Sequence, residues 1–340
     1  MRSGILAGGN WIVDHVKLID AWPPQDSLAR ISSDSRHNGG GPYNLLKDLA
    51  QLRAGFPLEA AGLLGDDDYG RWILADCRAA GIDTRQLQTT PEAATSYTDV
   101  MTVRDTGRRT FFHQSGANAK LAPAHFDFTR TNAKIFYLGY ALLLDTLDEF
   151  AEGNTREPRA ADVFRRARAA GLHTALDCVS ENSARFNTIV APLLPQVDYL
   201  LANDFEAEKL TSIELGRGET LDRAAVARAA RALIDLGVRQ WTVLHFPEGA
   251  CACSRKGEVV WQPGVRVPPG DIAGSNGAGD ALAAGLLYGL HEGWPMQRAL
   301  ELGACAAAAS LYHPSCSEAV KPADECLALG RTLGFRGWSP

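Results

Sequence analysis

The chain has 340 residues, 46% of them hydrophobic, and a formal net charge of -6, which suits one large α/β domain with an appendage or two modest ones. A mildly acidic chain with no Lys/Arg run is a poor nucleic-acid binder, and no apolar run is long enough to span a membrane. Seven cysteines, an odd number with no metal-site spacing, and a first apolar stretch broken by Asn10, Asp14 and His15 argue for a cytoplasmic protein with reduced thiols and no secretory leader.

Residues 5–19 and 27–35 read as extended and are assigned to a small β appendage. Within the first of these, Gly8-Gly9-Asn10 with Asp14 stands at the end of the first strand. Asn10 and Asp14 suit a grip on vicinal hydroxyls, or a plain strand-end turn with solvated polar groups. Gly39-Gly40-Gly41-Pro42-Tyr43-Asn44 leads into a helix over 45–54. Glycines there allow close backbone approach to a ligand, and Asn44 can donate to and accept from hydroxyls; Pro42 and Asn44 equally suit an ordinary helix start.

A regularity then sets in. Gly55, Gly81, Gly171 and Gly237 each follow a helical pattern and precede an apolar run, at 56–64, 82, 172–176 and 238–246. Glycine suits the left-handed residue that ends a helix, so repeated helix–Gly–strand units predict a mostly parallel sheet covered by helices. Residues 95–103 and 108–114, rich in Thr, Val, Tyr and Phe, flank the turn Asp105-Thr106-Gly107 and break the alternation as a hairpin. Arg104, Arg108 and Arg109 near that turn read as solvated. After a strand at 197–202, Asn203 and Glu206 share a helix face, as either a capping box or holders of a magnesium ion's waters. Residues 251–261 read as a second hairpin.

Gly274-Ser275-Asn276-Gly277-Ala278-Gly279-Asp280 precedes two Ala/Leu-rich helices, at 279–291 and 296–312. Small residues at a helix start let backbone N–H groups approach an anion, helped by the helix dipole. A carboxylate in such a turn repels phosphate. Asp280 makes sense there as the acceptor of a proton from an attacking hydroxyl, or else as an ordinary first-turn carboxylate. The turn is neither a Walker A loop nor a dinucleotide fingerprint, and its place near the C-terminus argues against a dinucleotide-dependent oxidoreductase.

In this order, the pieces resemble the ribokinase/PfkB carbohydrate kinase family. Gly39-Gly40-x-x-x-Asn44 is similar to its N-terminal signature, and residues 62–70 to its following G-x-x-G-x-D-x-x-G segment. Residues 107–110 and Gly116-Ala117-Asn118 resemble its lid hairpin and exit. Asn203-x-x-Glu206 resembles its magnesium motif, and Gly277-Ala278-Gly279-Asp280 its C-terminal signature. The likeness covers nearly the whole chain.

The resemblance implies one ribokinase-like kinase domain over 1–340, with a lid from segments near 10–37 and 95–116 and pairing of two copies through that lid. It implies ATP with Mg2+ and transfer of the γ-phosphoryl group to a hydroxyl of a sugar or sugar-like acceptor. Asp280 would be the base, and Asn276, Gly277, Ala278 and Gly279 the anion hole. Asn10, Asp14, Gly40, Asn44 and Asn118 would hold the acceptor. Asn203 and Glu206 would hold Mg2+ through water. His245 or Phe246 would touch the nucleotide, or serve the core, where the family's Thr-x-Gly segment is replaced by residues 244–249. Gly274 stands where the family often has Asp, which leaves activation by a monovalent cation open. Asp177-Cys178-Val179 departs from a D-x-N pattern. With the arginines read as solvated, a plain sugar or polyol is the expected acceptor; a nucleoside kinase of the same family and a non-catalytic binder on the same fold are the alternatives. Retention of Asp280 weighs against the binder.

Overall fold

The computed structural model describes residues 2–151, 153 and 156–338. β1 (Ile5–Gly9) is buried throughout and lies inside the main sheet, not in the appendage as expected. Both of its edges are paired in parallel, which leaves an apolar run no solvent face. β2 (Ile12–Ile19) and β3 (Ile31–Gly39) then leave the main sheet as an antiparallel pair. α1 (Gly41–Gln51) follows, with Pro42 in its first turn, where no backbone donor is needed. It ends earlier than the sequence suggested. Arg53, not Gly55, takes the left-handed conformation, at φ 56°.

β4 (Leu58–Gly65), α2 (Asp68–Ala79) and β5 (Asp83–Thr90) make the first helical crossover. β6 (Ser96–Val103) and β7 (Arg109–Gln114) are the hairpin anticipated around residues 105–107. The chain returns to the main sheet with β8 (Ile135–Ala141), a short α3 (Asp145–Asp148), α4 (Ala160–Ala169) and β9 (His173–Cys178). β10 (Tyr199–Asn203), α5 (Asp204–Thr211), α6 (Arg223–Asp235) and β11 (Trp241–Phe246) complete the parallel part. β12 (Gly249–Ser254) and β13 (Val259–Pro263) form the second expected hairpin. Three helices close the chain: α7 (Ala278–His291), α8 (Met296–Ser310) and α9 (Ala323–Leu333).

The main sheet has nine strands in the order β13-β12-β11-β10-β9-β8-β1-β4-β5. It is parallel except for β12 and β13. Side chains alternate between its two faces. Ile5, Tyr137, Leu201 and Val243 pack with Leu45 and Leu49 of α1 and Leu286 of α7. Leu6, Phe136, Leu138 and Leu200 pack with Phe164 of α4 and Leu233 of α6. This period of two is what a sheet covered on both faces requires.

The smaller sheet has the order β3-β2-β6-β7, with β2 and β6 parallel and the outer pairs antiparallel. It stands over the C-terminal ends of the parallel strands, where ligands of open α/β sheets gather. The start of α7 opens onto the same end.

Candidate active site

The turn before α7 places Asp280. Gly277 has φ 75°, and a Cβ there would sit 2.6 Å from the Cys316 side chain, so only glycine fits. Ala278 and Gly279 then form the first helical turn, whose N–H groups have no intrahelical acceptors. Asp280 follows, buried and facing the cavity. Its Oδ1 accepts from the Tyr140 hydroxyl at 2.6 Å, and its Oδ2 from Asn44 Nδ2 at 2.8 Å. Burial pushes its carboxyl up to about 6, while the Tyr140 and Asn44 hydrogen bonds draw it down. The result is a carboxyl poised to gain or lose a proton near neutral pH.

Asn44 is itself held. Its Oδ1 accepts from Asn38 Nδ2 at 2.7 Å, and Asn38 also donates to Ser317 Oγ at 3.0 Å. Asn38 is the penultimate residue of β3, so the lid strand is tied through Asn44 to Asp280. Gly40 lines the cavity, and a Cβ on it would meet Asn10 O at 2.3 Å. Asp14, on β2, faces the same cavity. Burial raises its carboxyl to about 7; Asn276 and Arg109 pull it down, and Asp280 pushes it up.

Two cavities meet at the turn. The first, of about 450 Å3, runs under the lid past Asp14, Thr98, His113 and Tyr140 to Asp280. The second, of about 480 Å3, lies between Phe246, Val265, Ile272 and Leu311. Ser180, Asn203, His245, Ser275, Ala278 and Gly279 line both. A polar chamber and an apolar one therefore share the wall made by the start of α7, with the Asp280 carboxylate on the polar side. His245 packs on that wall: a Cβ on Gly279 would lie 3.1 Å from its Cε1. Burial holds its imidazole down at about 4, hence neutral. Phe246 lines only the apolar chamber, near Trp338.

Asn203 and Glu206 form the capping box. Asn203 Oδ1 accepts from Glu206 N at 2.9 Å, and Glu206 Oε2 accepts from Asn203 N at 3.0 Å. Glu206 Oε1 also accepts from Ser180 Oγ at 2.9 Å, yet both residues line the polar cavity. Capping and facing the cavity coexist. Burial raises the Glu206 carboxyl to about 7. Asp177, at the end of β9, faces the same cavity and accepts from the Tyr137 hydroxyl at 3.1 Å. Burial, Glu206 and Asp280 all push its carboxyl well up. Among the described residues, no cluster of three His, Cys, Asp or Glu side chains could cage a metal ion by itself. Two hard carboxylates that repel each other on one cavity wall do suit a Mg2+ ion held mainly through water.

Three readings of the sequence need correction. Asn118 does not reach the cavity. Its Oδ1 accepts from Trp11 N at 3.2 Å and its Nδ2 donates to Trp11 O at 3.2 Å, so it serves the backbone like a neighbouring strand. Asn10 is likewise spent, accepting from Tyr140 N and donating to Leu143 O at 3.1 Å. It places the Tyr140 loop instead of holding an acceptor. Arg109 is not a freely solvated turn residue: it is half-buried, and its Nη2 donates to Ser275 Oγ, just before α7, at 2.9 Å. Arg104 and Arg108 are exposed as expected.

The sequence reading missed Tyr140, Tyr137 and Asp177 as site residues. A tyrosine in an apolar strand reads as core. Asp177 carried a signal, a carboxylate at the C-terminal end of a parallel strand.

Comparison with known proteins decides the family. The profile of the pfkB family carbohydrate kinases matches residues 9–323. The chain belongs to this family. As a pfkB family member it is a kinase of small carbohydrate-like molecules, not a dinucleotide oxidoreductase. It is similar to a 5-dehydro-2-deoxygluconokinase of Geobacillus kaustophilus, at 27% identity over 84% of this chain and 82% of that protein. It is also similar to an ATP-dependent ribose-1-phosphate kinase of Halopiger xanaduensis, at 28% identity over 89% of this chain and 90% of that protein. Its fold is that of the Thermotoga maritima ribokinase, with a TM-score of 0.77, 20% identity, and coverage of 96% of this chain and 99% of that one. An Arabidopsis thaliana ribokinase, whose structure holds ribose and ATP, aligns with a TM-score of 0.74 at 19% identity, covering 99% of this chain and 100% of that one.

Proposed function

We propose that this kinase transfers the γ-phosphoryl group of ATP to a hydroxyl of a sugar or sugar-like acceptor, with Asp280 as general base. The observation that carries this reading is Asp280 itself: buried, oriented by Tyr140 and Asn44, and set where a polar and an apolar cavity meet at a phosphate-type turn. The acceptor lies under the lid against Asp14, Gly40 and Asn44. The nucleotide lies in the apolar chamber beside Phe246, with its terminal phosphate on the N–H groups of Asn276, Gly277, Ala278 and Gly279. Asp280 takes the acceptor's proton as its oxygen attacks in line. His245, held neutral, adds no charge to the phosphate wall.

Glu206, Asn203 and Asp177 would hold the water shell of a Mg2+ ion, which when bound would neutralise phosphate charge. We further propose that two copies pair through the lid, where Trp22, Phe112 and Leu28 are exposed. A cytoplasmic location fits seven buried, unpaired cysteines. No helix among the described residues is long and apolar enough to cross a membrane.

The test is a coupled ADP assay with ATP, Mg2+ and a panel of acceptors. The panel holds ribose, ribose 1-phosphate, inosine, neutral hexoses and polyols, and 5-dehydro-2-deoxygluconate. We expect turnover with one acceptor class. Asp280→Asn should lower kcat by about 100-fold or more while ADP still binds. An Asn variant as active as wild type removes the base assignment.

A further inference from the structure

Arg109 opens β7 of the lid, but its side chain leaves the lid for the turn before α7. One nitrogen, Nη2, donates to Ser275 Oγ at 2.9 Å. The other, Nη1, is buried and has no hydrogen-bond partner. The guanidinium forms no ion pair with a carboxylate among the described residues. Arg71, Arg185 and Arg217, by contrast, all do.

The charges that face Arg109 are weak ones. Cys316 and Asp14 lie near enough to favour its cation, but burial outweighs them. Cys316 is a buried thiol held in its neutral form, and Asp14 is pushed up to about 7. A half-buried cation with one enclosed, unpaired N–H donor and no full counter-charge is costly in the ligand-free protein. An arriving anion removes that cost. Ser275 directly precedes the turn and lines both cavities; Arg109 lines neither, but its bond to Ser275 holds the guanidinium just behind the wall they share.

We propose that Arg109 is a lid-borne ligand for an anionic oxygen of a substrate, either the terminal phosphoryl group of the nucleotide or an acid group on the acceptor. The proposal rests on the reading that residues 276–279 hold the nucleotide's terminal phosphate. Since Ser275 adjoins that turn, the phosphoryl group is the nearer of the two sources. Arg109 sits on the lid and Ser275 on the turn before α7, so a contact spanning the two would link lid position to the presence of the anion.

The test compares full-length wild type with Arg109→Gln, Arg109→Lys and Ser275→Ala. Isothermal titration is run with ADP and with β,γ-imido-ATP, each with Mg2+, and kcat and KM are measured on neutral and acidic acceptors. If the phosphoryl group is the ligand, R109Q binds imido-ATP about tenfold to a hundredfold more weakly with ADP affinity unchanged. Its kcat then falls with every acceptor, and R109K recovers part of the loss. If the acceptor supplies the anion, nucleotide binding is unchanged and KM rises by a similar factor for acidic acceptors alone. The proposal is overturned if R109Q changes none of these. It is also overturned if S275A, which keeps the guanidinium, reproduces the whole loss, because Arg109 would then only tether the lid. Should wild type itself bind no nucleotide, the assignment of the turn is what fails, which this design separates from a failure at Arg109.

Discussion

Asp280 sits under opposing influences, and its neighbours decide which form it holds. Burial disfavours the carboxylate, while two donated hydrogen bonds favour it. A base must be ionised before it can accept a proton, so activity rises as pH climbs through about 6. Tyr140→Phe removes the 2.6 Å donor and leaves Asn44 alone against burial. The acid limb of kcat/KM should move up by about one pH unit, since a hydrogen bond to a charged group is worth about 1.5 kcal/mol or more. A pH–rate profile checks this; an unmoved limb would mean that Tyr140 does not tune the base. Asp280 was legible in the sequence because a carboxylate in an anion turn is chemically odd. Tyr140 was not, because nothing in a strand's residue pattern tells which hydroxyl will face a cavity. Asn10 and Asn118 show the same limit from the other side. An amide beside a strand end suits a sugar hydroxyl and a neighbouring backbone equally well, and here the backbone has both.

At the scale of elements, the lid has two different faces. Phe111 and Phe112 are adjacent on β7 and so point to opposite sides. Phe111 lines the polar cavity. Phe112 turns away and stacks on Trp22, with ring centroids 6.0 Å apart and both rings about half exposed. Exposed aromatic pairs on an otherwise polar sheet suit a protein contact. Phe112→Glu should therefore shift the mass measured by light scattering from dimer to monomer. Wild type that runs as a monomer at micromolar concentration would refute pairing through this face. The hairpin carrying these residues was visible as two β-rich runs around Asp105-Thr106-Gly107. That β1 belongs to the other sheet was not visible, because extended residues 5–19 look continuous. The break falls at Asn10 and Trp11, fixed by Asn118 more than 100 positions away. The role of Arg109 was hidden for the same reason: its partner, Ser275, lies on a distant turn.

The whole molecule gathers carboxylates under the lid, and this sets how its stability depends on pH. Asp14 and Glu206 are raised to about 7 and Asp280 to about 6, in each case chiefly by burial; Asp148, elsewhere in the core, is raised to about 7 for the same reason. A carboxyl whose folded pKa lies above its unfolded one binds a proton more readily when folded. Its contribution is full below the unfolded value, near 4, and is lost as pH rises through 6 to 7. His245, lowered to about 4, acts oppositely: its contribution is present above 6.5 and lost as pH falls toward 4. His15, His113 and His291 are lowered as well and act in the same sense as His245, but above pH 6.5 most of their effect is spent and the raised carboxyls outweigh it. The ligand-free protein should therefore melt at a lower temperature at pH 8 than at pH 6.5. ADP with Mg2+ should raise the melting temperature more at pH 8, where the ionised acids gain a counter-charge. Glu206→Gln tests the source, because an amide does not titrate. Its melting temperature should fall less over the same interval, and its gain from Mg2+ should shrink. If the variant falls as steeply as wild type, the instability at high pH comes from outside the site and the link between site charge and fold is broken.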